Sequence, residues 1–343
     1  MMDRLFAHNA RGLLIILVIF GHLLEQRLQV NDVAGATYIF LYAFHMPAIA
    51  FLSGSATRAH NGPAELGNTA LKLLQPLIIC QLLFLPLEMA LADEGKNWFR
   101  YAVTPYWVLW YLLSLAAWRL LLPVFTGLRF PLIWAIAMAI GAGLIGSIGY
   151  PMSLSRMLAL FPFFLAGHLL LSNSNVTANS FTGQRLLAFG AMVAAASCAV
   201  LLQASGFDER LLYHAKSYSA FGLDPYTGAS VRLLALVLAG GLIWSFLALI
   251  PASLPSFVTR AGKYSLFCYL SHALLLKAAE AGGVFDRWPE ASMSWPYVAA
   301  SLVFAFVLAI ALTSKPVRAL QTYLYSPLQA AWSAWTAARN RAA

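Results

Sequence analysis

Arg11-Gly12-Leu13-Leu14-Ile15-Ile16-Leu17-Val18-Ile19-Phe20-Gly21-His22 is an unbroken apolar run with an ionisable side chain at either end. The apolar character continues past His22, giving a segment, 11–29, near the roughly 20 residues that cross about 30 Å of hydrocarbon as a helix. Nine further runs of similar length follow, at 36–56, 69–91, 104–125, 130–148, 156–173, 185–204, 229–250, 263–282 and 295–314. The glycines from Gly141 to Gly149, with Pro151, blur the border between the fifth and sixth. The chain of 343 residues is 61% hydrophobic and only 10% charged, against roughly 25% charged residues in soluble domains. So few charges cannot cover a water-facing surface, so lipid must act as solvent for much of it. The runs exceed the roughly ten alternating positions of a barrel strand. The expected fold is an all-α, polytopic transmembrane bundle of about ten helices.

Loop charge orients this bundle. With the N-terminus inside, cytoplasmic segments collect Arg4, Arg58, Arg129, Arg185, Arg260, Lys263, Lys315, Arg318, Arg339 and Arg341, while outer segments hold Asp32, Asp93, Glu94, Asp208, Glu209, Asp224, Asp286 and Glu290. This positive-inside bias places both termini in the cytoplasm. The net charge of +9 is spread singly between apolar runs, which argues for topology and contact with anionic membrane lipids and against nucleic acid. Cys80, Cys198 and Cys268 lie inside apolar runs and read as buried thiols, neither disulfides nor metal ligands. No cleavable signal and no bound metal are expected. Residues 1–314 form the membrane domain, and 315–343, with Tyr323, Tyr325, Trp332 and Trp335, suit a cytoplasmic interfacial helix or tail. The longest outer loop, roughly 205–228, carries Phe207, Tyr213, His214 and Tyr218 and is a candidate functional loop.

Ionisable residues inside a membrane are costly, and so are candidates for function. Arg11 and His22 are eleven positions apart, about three turns plus 20°, so they share one helix face roughly 16 Å apart in height. Arg11 has a planar, permanently charged fork suited to phosphate. His22 is of the one residue type whose unperturbed pKa lies near neutrality, as a general base requires. A phosphorylated cytosolic donor below and a proton acceptor above fits acyl transfer from a CoA thioester to a hydroxyl. The other reading makes Arg11 a topology signal and His22 a hydrogen-bonded structural residue. His45 in the second run precedes Pro47, which breaks helical hydrogen bonding and frees carbonyls for a polar pocket. Trp107 and Trp110 form either an interfacial belt or a stacking wall. Ser265, Tyr269 and His272 share the ninth run, where Lys277 and Glu280 are spaced to pair. Glu25, one turn beyond His22, is placed to orient its ring, and Arg232 either contacts substrate or caps the interface.

Four segments together resemble the acyltransferase-3 family of integral membrane acyltransferases: Arg11 through His22; Phe44-His45-Met46-Pro47 through Phe51-Leu52-Ser53-Gly54; Trp107 through Leu113; and Gly262 through His272. Length and the His-Met-Pro variant look most like the fucose 4-O-acetylase-like branch. The resemblance implies cytosolic acyl-CoA (acetyl-CoA or a longer acyl-CoA) as donor substrate, with no permanently bound cofactor. It implies O-acylation of a carbohydrate or lipid-linked glycan, in a bacterial inner membrane and in cell-envelope polysaccharide modification. The chain then completes the transfer or passes the acyl group to an envelope-biosynthesis partner protein. Arg11 is the implied donor-binding residue and His22 the catalytic one. His45, Trp107, Trp110, Arg232, Ser265, Tyr269 and His272 are the candidate substrate-binding residues. His8 stands where family members carry an acid, three residues before the arginine. The competing function is a transporter or flippase of a lipid-linked sugar or small solute with an intramembrane histidine proton relay. Against it, the chain shows no paired inverted halves with matching broken helices.

Overall fold

The computed structural model describes residues 2–57, 63–91, 104–148, 151–172, 174–285 and 294–320. Every regular element among them is helical: α1 Arg4–Glu25, α2 Asp32–Tyr42, α3 His45–Ser55, α4 Pro63–Leu91, α5 Trp110–Thr126, α6 Pro131–Gly141, α7 Leu154–Leu171, α8 Arg185–Ala204, α9 Pro225–Leu249, α10 Ser256–Lys263, α11 Ser265–Ala281 and α12 Ser294–Leu312, with short 3-10 turns between them. Among the described residues, seven stretches are long and apolar enough to cross a membrane: Arg4–Glu25, Asp32–Ser55, Trp107–Thr126, Leu154–Leu171, Ala178–Ala204, Pro225–Leu249 and Trp295–Leu312. At the third expected span α4 runs 29 residues and includes the apolar stretch Leu73–Met89, and at the fifth lies a shorter apolar helix, Pro131–Leu144. The ninth is the 17-residue α11. Large apolar side chains point outward along the helices, among them Leu186, Leu187, Phe189, Leu201, Val237 and Val303. Such a surface belongs in lipid rather than water. Cys198 is exposed on α8, correcting its reading as a buried thiol; Cys80 and Cys268 are buried. The loop charges at Arg58, Asp93, Glu94, Asp286, Glu290, Arg339 and Arg341 and the tail from 321 lie outside the described residues.

Helix α1 packs against α2, α3, α10, α11 and α12. It begins earlier than its apolar run, because Asp3 caps it by accepting from the Phe6 amide at 2.9 Å. Arg11 therefore sits seven residues, about 10 Å, inside the helix rather than at its mouth. The α1–α10 crossing is tight, since a Cβ at Gly12 would overlap the Val258 carbonyl and one at Gly262 the His8 carbonyl. The α3–α7 crossing uses reciprocal glycines. A Cβ at Gly54 would strike the Phe164 carbonyl, and one at Gly167 the Phe51 carbonyl. Backbone cannot retreat as a flexible side chain can, so Gly167→Val is expected to cost about 3 kcal/mol or more. A fall in the detergent-solubilised thermal midpoint against wild type checks it, and an unchanged midpoint would contradict the packing.

The second run contains a break. Pro47 has no amide hydrogen and its ring would collide with the carbonyl four residues back, so α2 stops at Tyr42 and α3 starts at His45. The loop between α8 and α9 is pinned by Tyr218. Its amide donates to the Gly143 carbonyl and its hydroxyl to the Ile140 carbonyl, each at 2.8 Å. A Cβ at Gly143 or Gly228 would overlap the Tyr218 side chain.

Candidate active site

Residues three apart on a helix share a face, so His22 and Glu25 meet at the C-terminal end of α1, with His22 Nδ1 3.0 Å from Glu25 Oε2. In the neutral ring Nδ1–H donates to the carboxylate and leaves Nε2 as the basic atom. This is the arrangement in which a carboxylate fixes tautomer and orientation and stabilises the imidazolium that forms. The His22 ring lies 4.5 Å from Trp107 and stacks at 5.5 Å on His272, between centroids. His272 is fully buried on α11. Its Nδ1–H donates to the Cys268 carbonyl one turn back at 2.9 Å. Its Nε2, then unprotonated, is buried with no hydrogen-bond partner. A bare imidazole nitrogen beside His22 is a second base or a ring support, the two roles open to it.

Trp107 is held in an unusual conformation, with φ of +37°. Strained backbone of this kind persists where the surroundings over-determine it. The Gln81 amide supplies one constraint, donating to the Thr104 carbonyl at 2.9 Å and accepting from the Tyr106 amide at 3.0 Å. Lys277 supplies another, its Nζ 5.0 Å from the Trp107 ring and 2.7 Å from Glu280. The expected Lys277–Glu280 pair thus also braces the indole. The Tyr269 hydroxyl donates to the Val108 carbonyl, tying α11 to the same turn.

These residues enclose a cavity of about 80 Å³. One water needs roughly 10–15 Å³ by the same measure, so the space holds several waters or a small reacting group. Its lining includes His22, Glu25, Trp107, Trp110 and Tyr269, with Tyr42, Met46 and Pro47 from the break in the second run. Leu212 and Tyr213 of the α8–α9 loop close one side. Tyr213 is fixed there by a 2.7 Å hydrogen bond to the Tyr38 hydroxyl. His45, 2% exposed, lies against Tyr42 at 4.6 Å and donates Nδ1–H to the Leu41 carbonyl at 2.7 Å, which also accepts from the Phe44 amide. Burial, with Arg232 and Arg156 nearby, pushes the pKa of His214, in the loop, down to about 3.

Of the sequence-derived candidates, His22, Trp107, Trp110 and Tyr269 line the cavity, and His45 and His272 adjoin it. Three are elsewhere. Ser265 is the half-buried first residue of α11, seven positions before His272. Arg232 is buried away from the cavity and donates to the Ala139 and Lys216 carbonyls at 3.2 Å, with its guanidinium 4.9 Å from the Tyr218 ring. It fastens the loop rather than facing the cavity. Arg11 also lies outside the lining. Its charge acts on Tyr111, whose hydroxyl meets Ser53 Oγ at 2.6 Å and whose ring is 5.6 Å from Tyr269. Of the two tyrosines, Tyr269 lines the cavity and Tyr111 does not. Arg156, which the sequence reading did not single out, does line it. A lone arginine at the start of an apolar run looks like a topology signal, and nothing in the sequence separates the two.

A family model described as an acyltransferase domain, that of the acyltransferase-3 family, matches residues 5–314. The chain belongs to the acyltransferase-3 family. Neither the curated proteins nor the solved structures give a match. Within this acyltransferase domain, the motif segments that signalled the resemblance divide by role. His22, Trp107, Trp110 and Tyr269 surround the cavity, whereas Gly54 and Gly262 form helix crossings and Ser53 holds Tyr111.

Proposed function

We propose that this membrane acyltransferase moves an acyl group, acetyl in the simplest case, from cytosolic acyl-CoA to a hydroxyl of a carbohydrate or lipid-linked glycan. The supporting observation is the His22–Glu25 hydrogen bond at the edge of an aromatic-walled cavity. In the proposed step, His22 Nε2 takes the proton of the acceptor hydroxyl as its oxygen attacks the thioester carbonyl. The carbon–sulfur bond then breaks, and the imidazolium returns its proton to the departing CoA thiolate. Glu25 holds the ring and balances the charge it gains. Arg11 serves the donor phosphates from the N-terminal end of α1, where its charge, with those of Lys263 and Arg4, acts on His8. Trp107, Trp110 and Tyr42 suit a sugar face, and His272 supports the His22 ring. The positive charge at the N-terminal end of α1 fits a ten-span bundle with that end in the cytoplasm of a bacterial inner membrane.

Acylation profiling of cell-surface polysaccharide, by mass spectrometry with and without the protein, tests the reading. Loss of one O-acyl ester on deletion is expected, and an unchanged ester profile would count against it. Glu25→Gln keeps the side-chain shape but removes the charge that favours the imidazolium. It is expected to lower kcat about 100-fold with little change in the KM for donor, measured as CoA released per minute. An unaffected kcat would detach Glu25 from the chemistry.

A further inference from the structure

Resting on the acyl-transfer reading of this cavity, we propose that Lys277 is a positioning residue for the acceptor: tethered by Glu280, its ammonium sets the Trp107 indole as the platform on which the sugar stacks beside His22. Trp107 opens the short 3-10 turn Trp107–Leu109 that leads into α5, and it lines the cavity. Its φ of +37° is a conformation that a bulky L residue rarely adopts, so contacts from outside the turn must hold it there. The backbone on either side is fixed from two helices. Gln81 of α4 accepts from the Tyr106 amide at 3.0 Å, and Tyr269 of α11 donates its hydroxyl to the Val108 carbonyl. Those bonds set the chain but leave the indole to be aimed through its ring. That ring meets His22 at 4.5 Å between centroids, and Lys277, whose Nζ lies 5.0 Å from the indole centroid.

Lys277 itself is not part of the cavity lining, so it acts on a substrate through Trp107 and not by touching it. Its ammonium is kept in place by Glu280, three residues on, which accepts from it at 2.7 Å. The Lys277 side chain is only 17% exposed, and a cation–π contact strengthens as water is withdrawn from the cation. Helix α11 thus grips the turn twice, at the Val108 carbonyl through Tyr269 and at the indole through Lys277. A flat indole offers apolar area to the C–H face of a sugar ring, and it binds at lower entropic cost when it is already fixed. A tryptophan left to swing would have to be ordered at each binding event. The cost of losing Lys277 therefore falls on the acceptor and not on the donor, whose arginine lies about 16 Å along α1 from His22.

The test is binding of envelope glycan, from cells lacking the protein, to the full chain in lipid nanodiscs with no donor present, alongside acetyl-CoA binding by calorimetry. Lys277→Met keeps an aliphatic stem and removes the charge. It is expected to weaken glycan binding about tenfold and to leave acetyl-CoA affinity unchanged. Lys277→Arg keeps a cation over the ring and is expected to hold glycan affinity within about threefold of wild type. In a Trp107→Ala background, Lys277→Met is expected to change glycan affinity no further, because the lysine acts through the indole. Thermal midpoints confirm that each variant folds. The proposal is overturned if Lys277→Met binds glycan as wild type does, if Lys277→Arg restores nothing, if Lys277→Met still weakens binding when Trp107 is absent, or if donor and glycan affinities fall together. Because binding is read without turnover, the two readings separate. Glycan affinity lost in Lys277→Met and restored in Lys277→Arg, with no ester formed by wild type on adding acetyl-CoA, would keep the platform and remove the reaction. Ester formation with an acceptor KM unchanged in Lys277→Met would keep the reaction and remove the positioning role. A wild-type chain that binds no glycan would remove both.

Discussion

His22→Ala is expected to lose acyl transfer by on the order of a thousandfold or more, while the affinity for acetyl-CoA stays within about twofold of wild type. The asymmetry follows from where the residue sits. Its ring meets Trp107, His272 and Glu25 at the C-terminal end of α1, about 16 Å from the arginine assigned to the donor. Removing the imidazole removes the proton acceptor and the partner of the Glu25 carboxylate but touches nothing near Arg11. CoA release and ester formation report the chemistry; calorimetry reports the donor. His22→Gln retains a polar side chain of similar reach and should be equally inactive if the basic nitrogen is what matters. Full activity in either variant would move the base to His272, whose Nε2 is buried beside His22, or to His45. A parallel loss of donor binding and transfer would instead make His22 a structural residue.

Arg11→Ala is expected to weaken acetyl-CoA binding by roughly 2–3 kcal/mol, on the order of a hundredfold, with Arg11→Lys intermediate. A guanidinium inside the helix, half-buried and charged, is costly to keep in a membrane protein unless a ligand or a partner offsets the cost. Tyr111 is the neighbour it acts on, and a neutral phenol does not neutralise it. Its other charged neighbours, as felt at His8, are Arg4 and Lys263, a grouping that gathers positive charge where polyphosphate would arrive. Calorimetry in nanodiscs checks the loss. Unchanged affinity would return Arg11 to a topology or packing role and leave the donor site to be found elsewhere on the bundle.

The helical, multi-span architecture was legible because lipid solvation acts on composition and run length, which a single sequence displays. The His22–Glu25 bond was legible for a similar reason, since helix periodicity alone decides that residues three apart can meet. The break before His45 followed from the missing amide of Pro47. What sequence hid depends on long-range placement. The φ of +37° at Trp107 is fixed by Gln81, 26 positions earlier, and no local signal marks it. The partners of Gly12 and Gly54, the Val258 and Phe164 carbonyls, come from helices far along the chain that no local pattern names. Cys198 sits in the same kind of apolar run as Cys268 and faces outward, because the weakly amphipathic α8 does not reveal its lipid side. Arg232 and Arg156 are both single arginines near helix starts. One holds a loop through backbone carbonyls and the other stands in the cavity wall, a distinction made by the fold of 205–224 around them. That Arg11 lies outside the cavity that His22 lines is likewise a tertiary feature.

The most direct measurement follows acetyl carbon through purified protein. Wild type in nanodiscs is given acetyl-labelled acetyl-CoA and envelope glycan from cells lacking the protein, and the glycan is analysed by mass spectrometry. The account expects labelled O-acetyl ester on the glycan, one CoA released per ester, and neither above background with His22→Ala. Glycan that stays unlabelled while the protein binds both substrates, or label that appears undiminished with His22→Ala, would contradict it.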